Sequence, residues 1–179
     1  DLHRMNGRYD NAIEDYESCL KYREGNTKLG PYDRKIADVH YNLALAHMLL
    51  VAETKVPEDA TPDEASNVEK KVASHRTRSF HHYLACGKTL CGQIAFVCGL
   101  EPAEFLSKSE GEIPSFKSTG EEDLVDDLDH PKVAGMKLRN LRKSVGDLKP
   151  PEDDIDLFDD LAQLLQEIQE TIDEADNSE

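Results

Sequence analysis

The sequence predicts an all-α protein built from helical hairpins, and three observations support that prediction. Apolar residues recur at steps of three and four in nearly every apolar stretch. No stretch alternates apolar and polar residues with β-branched enrichment, as a half-buried strand would. Turn-forming sites at Asn6-Gly7, Gly30-Pro31, Gly99 to Pro102 and Pro150-Pro151 separate the periodic stretches at helical lengths.

The first helix follows Asn6-Gly7 and carries Tyr9, Ile13, Tyr16 and Leu20, with Ala12 and Cys19 beside them; Gly25 closes it. The second carries Ile36, Val39, Leu43, Ala46 and Leu50 at the same spacing. The polar stretch from Glu53 to about Asn67 holds Pro57, Pro62 and several acids, and is expected to be a loop between helices. His75 to Tyr83 leads into Leu84, Leu90, Ile94 and Val97, a third helix expected to stop near Gly99 or Pro102. Residues 107–129 are rich in Ser, Gly and acids, with few apolar anchors, and are expected to be mobile. Met136 to Leu148 is a short amphipathic piece bearing Lys137, Arg139, Arg142 and Lys143, which the acidity of the whole chain marks as a solvated face before a nucleic-acid patch. In the last helix Phe158, Leu161, Leu165, Ile168 and Ile172 form one stripe, widened by Leu164, against acids at Asp159, Asp160, Glu167, Glu170 and Asp173; Asp153 or Asp154 is placed to cap it. The run is short for a self-pairing coiled coil, so packing on its own domain is expected.

Charge narrows the partners. The 179 residues hold 37 acidic and 21 basic side chains, a net charge of -16. Such a surface repels phosphate backbones and favours basic partners. No apolar run is long enough to span a bilayer. Cys19, Cys86, Cys91 and Cys98 make no C-x-x-C pair, and no ligand spacing joins them to His75, His81 and His82. Reduced core thiols are expected, with no metal and no cofactor.

Helix–turn–helix repeats of about 34 residues place small and large residues at set positions: W-x2-L-G-x2-Y in the first helix, A-x3-F in the second. Tyr9, Ala12, Tyr16 and Cys19 fit a second helix, and His40, Leu43, Ala44 and His47 fit the next first helix. Ser79, Tyr83 and Cys86 repeat the second-helix spacing, which puts Cys19 and Cys86 at equivalent small-residue positions. The pattern is that of the tetratricopeptide repeat, an α-solenoid element. It is irregular: Ala12 and His40 lie about ten residues further apart than the standard unit allows, and a second excess falls between His47 and Ser79.

Those departures, with "AIEDYESCLKYRE", "DRKIADVHYNLALAH" and "DLAQLLQEIQETIDEAD", resemble the nuclear autoantigenic sperm protein family of histone chaperones, whose repeats are interrupted by an acidic insertion. The chain opens inside a motif and without Met, so earlier repeats are expected to precede it. The resemblance implies a repeat region over 1–106 with a polar insert at about 53–69. Composition gives an acidic, partly mobile connector with a short amphipathic segment over 107–150, and the resemblance a capping helix with an acidic tail over 151–179. The stretch between Phe105 and Pro150 departs from the family pattern.

The resemblance also implies a site. Inward positions on the concave face are Asp38, Tyr41, Asn42, Leu45 and Met48, one helical stripe, and Asp1 matches a further histone-contacting acid. Leu45 and Met48 fit a core role equally well. Glu121, Glu122, Asp123, Asp126 and Asp127 are expected to steer a basic partner. The expected partners are histone H3 and the H3–H4 pair, a centromeric H3 variant among the candidates, with no direct nucleic acid and no membrane. A homo-oligomer is compatible with the sequence. The implied location is nuclear with a cytoplasmic pool. No Gly-rich phosphate loop and no nucleophile–base–orienter set appears, so no reaction is expected. The alternative is a generic repeat scaffold that binds a peptide of another protein.

Overall fold

The computed structural model describes residues 2–26, 28–109 and 131–176, and every regular element among them is helical. A one-turn helix, α1 (Leu2–Met5), is followed by α2 (Tyr9–Glu24), α3 (Arg34–Glu53) and α4 (Pro62–Val97). Then come α5 (Pro102–Ser109), α6 (Pro131–Gly146), a 3-10 turn at Glu152–Asp154 and α7 (Ile155–Asp176). The all-α class read from sequence holds.

Local chemistry sets the boundaries. The Asp33 carboxylate accepts from the Lys35 backbone N–H at 2.8 Å and opens α3. At the other end of α4, Cys98 is the cap and Gly99, at φ +75°, turns the chain away. The Gly99 N–H donates to the Phe96 carbonyl and the Leu100 N–H to the Ala95 carbonyl, the paired bonds of a Schellman motif. A left-handed residue is required there, and Gly adopts it without the Cβ penalty.

The polar insert is shorter than the sequence suggested. Only Thr54 to Thr61 lies outside regular structure, and α4 begins at Pro62. The reason is a capping box: the Thr61 hydroxyl accepts from the Glu64 N–H at 3.3 Å while Glu64 Oε2 accepts from the Thr61 N–H at 2.9 Å. Pro62 occupies the first helical position, where its missing N–H costs nothing. Residues 62–69, read as insert, are therefore helical, and α4 reaches 36 residues, roughly 54 Å at 1.5 Å per residue.

Helix α4 joins two apolar clusters. In the smaller one, Ile13 of α2 meets Val39, Leu43 and Ala46 of α3, with Tyr16, Cys19, Leu20 and Leu50 around them. In the larger one, Phe80, Tyr83, Leu84, Leu90, Cys91 and Ile94 of α4 pack with Ala37 and Ala44 of α3 and with the later helices. Residues 131–146, read as part of a connector, instead contribute Ala134, Leu138 and Leu141, each fully buried. The stripe of α7 is buried as its spacing requires: Leu161, Leu165, Ile168 and Ile172 are all 3 % exposed or less. Helix α7 packs on α4 and α6.

One glycine allows the closest of these approaches. A Cβ at Gly87 would strike the fully buried Leu138 side chain and stand 3.5 Å from Leu165 Cδ1, so α6 and α7 reach the α4 backbone only because none is there. The four thiols are free; Cys86 and Cys91 are buried, Cys19 and Cys98 half-buried.

Leu165→Asp places a carboxylate in this contact, with no partner to receive it. The expected loss is about 3–5 kcal/mol, combining lost apolar burial with an uncompensated polar group. Thermal unfolding followed by circular dichroism checks it: a midpoint within error of the parent would mean that α7 does not close this core.

Candidate protein-binding face

Helix α3 packs against α2 on one side and α4 on the next. Val39, Leu43 and Ala46 serve the first contact, and Ala37, His40, Ala44 and His47 the second. What remains is a stripe at i, i+3, i+4 and i+7: Asp38, Tyr41, Asn42 and Leu45. The structure brings these four onto one face of one rigid helix.

Their surroundings differ. Asp38 is exposed. Tyr41 is 40 % exposed, and its ring stands edge-on to buried Tyr83 with centroids 6.0 Å apart. That contact fixes one edge of the ring and leaves the rest to solvent. The Asn42 amide donates to the Asp38 backbone carbonyl at 2.7 Å, so the amide nitrogen is engaged within its own helix. Leu45 is half-buried, and Met48, also half-buried, packs against the larger core cluster. Asp1 and the acids Glu121, Glu122, Asp123, Asp126 and Asp127 lie outside the described residues.

Cys86 sits beneath the face. Burial first, and the nearby Asp38 carboxylate second, push its thiol up to about 12, while a backbone hydrogen bond with Tyr41 works the other way. Cys86 is thus a neutral packing group at pH 7, as its small-residue position predicts. Tyr83 is held protonated by burial and, secondarily, by Tyr41.

On the α4 side of α3 lies a group that sequence reasoning missed, although the equal spacing of its members was a signal of it. His40 and His47 are seven apart, as are His75 and His82. With α3 and α4 antiparallel, His40 faces His82 with Nδ1 atoms 3.1 Å apart, and His47 faces His75 with Nδ1 atoms 2.9 Å apart. His47 also stacks on His82, with centroids 5.8 Å apart and planes 5° from parallel. The four rings form a zigzag, bounded by the buried Ser79 hydroxyl, which donates to the Ala44 carbonyl at 2.8 Å. Burial is the main cause that lowers His40 to about 4, His47 to about 4 and His82 to about 3, with neighbouring cationic groups adding to it. His75 is lowered by burial, then Lys71 and Arg78. Among the described residues, no group of three or more His, Cys, Asp and Glu is arranged to hold a metal ion.

No protein-family model, curated protein or solved structure matches this chain. The site therefore rests on its own geometry. A shallow cleft lies elsewhere, where Thr54 and Val56 meet Val68 and Val72 of α4. None of the stripe residues lines it. Of the basic side chains of α6, Arg139 pairs with Asp173 of α7 at 2.5 Å, across a half-exposed contact of small energetic weight. No described helix is long and apolar enough to cross a membrane.

Proposed function

We propose that this chain is a histone chaperone, binding histone H3 or the H3–H4 pair through the exposed face of α3 and performing no reaction. The observation that supports it best is that Asp38 and Tyr41 stand together, both exposed, on the side of α3 that α2 and α4 leave largely open, with only one edge of the Tyr41 ring resting on Tyr83. Helices α2, α3 and α4 are read as successive members of interrupted tetratricopeptide repeats, with α7 as the closing helix.

The chemistry suits a basic helix or tail. The Asp38 carboxylate accepts a charge-assisted hydrogen bond from an Arg or Lys, stronger than a neutral one. The Tyr41 ring, already held at one edge by Tyr83, loses little freedom on contact and offers an apolar surface plus a hydroxyl. Asn42 keeps its side-chain oxygen for a partner N–H. The net charge of -16 draws such a partner in and disfavours nucleic acid. A scaffold that captures a C-terminal carboxylate would want Lys or Arg on this face, and the sequence from Asp38 to Met48 has none. The proposed setting is the nucleus with a cytoplasmic pool, where histones are stored, imported or delivered to chromatin.

The double variant Asp38→Lys, Tyr41→Ala is expected to weaken H3–H4 binding by at least about 2 kcal/mol, as loss of an aromatic and charged anchor does. Losing the Tyr41–Tyr83 contact lowers stability by only about 1 kcal/mol, so the fold persists. Calorimetric titration with H3–H4, beside circular dichroism, reads both; unchanged affinity in a folded variant sinks the assignment.

Replacing Glu121, Glu122, Asp123, Asp126 and Asp127 with Gln and Asn is expected to slow association at low salt and to matter little at high salt, since exposed charges mainly steer encounter. Stopped-flow mixing at two ionic strengths measures this. A change carried by dissociation alone would make the stretch a docked part of the interface.

A further inference from the structure

We propose that the histidine zigzag between α3 and α4 is a proton-operated latch, holding the two helices together while its rings are neutral and releasing them when the rings become charged. The geometry sets the logic. A neutral Nδ1···Nδ1 contact works only if one nitrogen carries the hydrogen and the other offers its lone pair. His40–His82 at 3.1 Å and His47–His75 at 2.9 Å can each hold one proton between the two nitrogens. A second proton on either contact sets two N–H groups against each other at hydrogen-bond distance. Charging the donor ring of a pair also puts an N–H on its far nitrogen. His47 Nε2 is buried with no hydrogen-bond partner, so His47 best serves as the Nδ1 donor, and a charged His47 strands a buried N–H.

The surroundings oppose charge in the closed state. From α4, Lys71, Arg78 and His81 bear on the rings; from α2, Asp10 bears on His75 and alone favours its protonation; α3 presents His40 and His47 themselves. Stacking of His47 on His82 brings the two pairs into contact, so a charge on one disfavours a charge on the other. While the helices stay together each charged ring therefore makes the next harder to charge, and all four charge together only when the contact between α3 and α4 opens.

The direction of the pH effect follows. Folding lowers the affinity of these rings for protons, so the unfolded chain binds more protons between the ordinary value of 6.5 and the folded values of about 4 and about 3. The latch contributes fully above pH 6.5 and is lost as pH falls through that window. One ring lowered from 6.5 to about 4 raises the unfolding equilibrium constant roughly twentyfold between pH 7 and pH 5, before the carboxylates titrate appreciably.

Two measurements on the whole chain test this. Ring carbon–proton spectra of histidine-labelled protein, assigned with single His→Gln variants, are expected to show His40, His47 and His82 still neutral at pH 5.5. On further acidification they should charge together, with loss of the Tyr41–Tyr83 proximity signal. Rings that charge one by one near pH 6.5 with that signal intact overturn the latch. Urea unfolding at pH 7 and pH 5 gives the second reading: the parent's unfolding constant should rise at least about twentyfold. In His40→Gln, His82→Gln, which keeps a polar pair but removes two titrating groups, the rise should be at least tenfold smaller. An equal rise in both proteins overturns the proposal without depending on any partner.

Discussion

One helix packed on two sides is the constraint on which the rest depends. Helix α4 spans both halves of the molecule: α3 runs antiparallel along one side of it, and α6 and α7 pack along another. Contact on more than one side demands more than an amphipathic stripe, and α4 meets the demand with small residues where neighbours come closest. Ser79 and Cys86 admit α3, and Gly87 admits α6 and α7. An interior Gly lowers helix propensity by about 1 kcal/mol relative to Ala, a cost offset here by the close packing it permits. The α3 face exists because α4 and α2 together cover the other sides of α3.

Much of this was legible. The stripes on α2 and α7 are single-sided, and a period of 3.6 residues identifies such helices well. Leu161, Leu165, Ile168 and Ile172 are buried where spacing placed them. The stop at Gly99 was also readable, because a left-handed cap leaves few residue choices. Two features were obscured by their polar and charged residues. Thr61-Pro62-Asp63-Glu64 is polar and proline-bearing, yet its order is that of a helix start. Met136 to Leu148 is amphipathic by its sequence, but its many Lys and Arg suggested a solvated face within a connector, whereas Ala134, Leu138, Leu141 and Val145 of α6 are buried.

The candidate site was legible in part. Exposure of Asp38 and Tyr41 follows from their spacing, since they fall between the two apolar sides of α3. The engagement of Asn42 with its own helix, and the edge contact of Tyr41 on Tyr83, depend on rotamers and on a neighbour 42 residues away, which periodicity does not address. The histidines were individually visible as members of core positions. Their pairing needed the register of α3 on α4, which no single stripe contains.

The two apolar clusters also differ in how much chain their contacts enclose. The α2–α3 contacts and the α3–α4 register join segments close in sequence, whereas α6 and α7 must return to α4 across residues 110–130. A connection pinned between packed helices costs closure entropy that grows only as the logarithm of its length, about 0.6 kcal/mol for each doubling. The connection between α3 and α4 carries a second constraint: it begins at the end of one packed helix and finishes in the capping box of the next, so residues added within Thr61 to Glu64 separate the two partners of that box, whereas residues added before Thr61 only lengthen the loop.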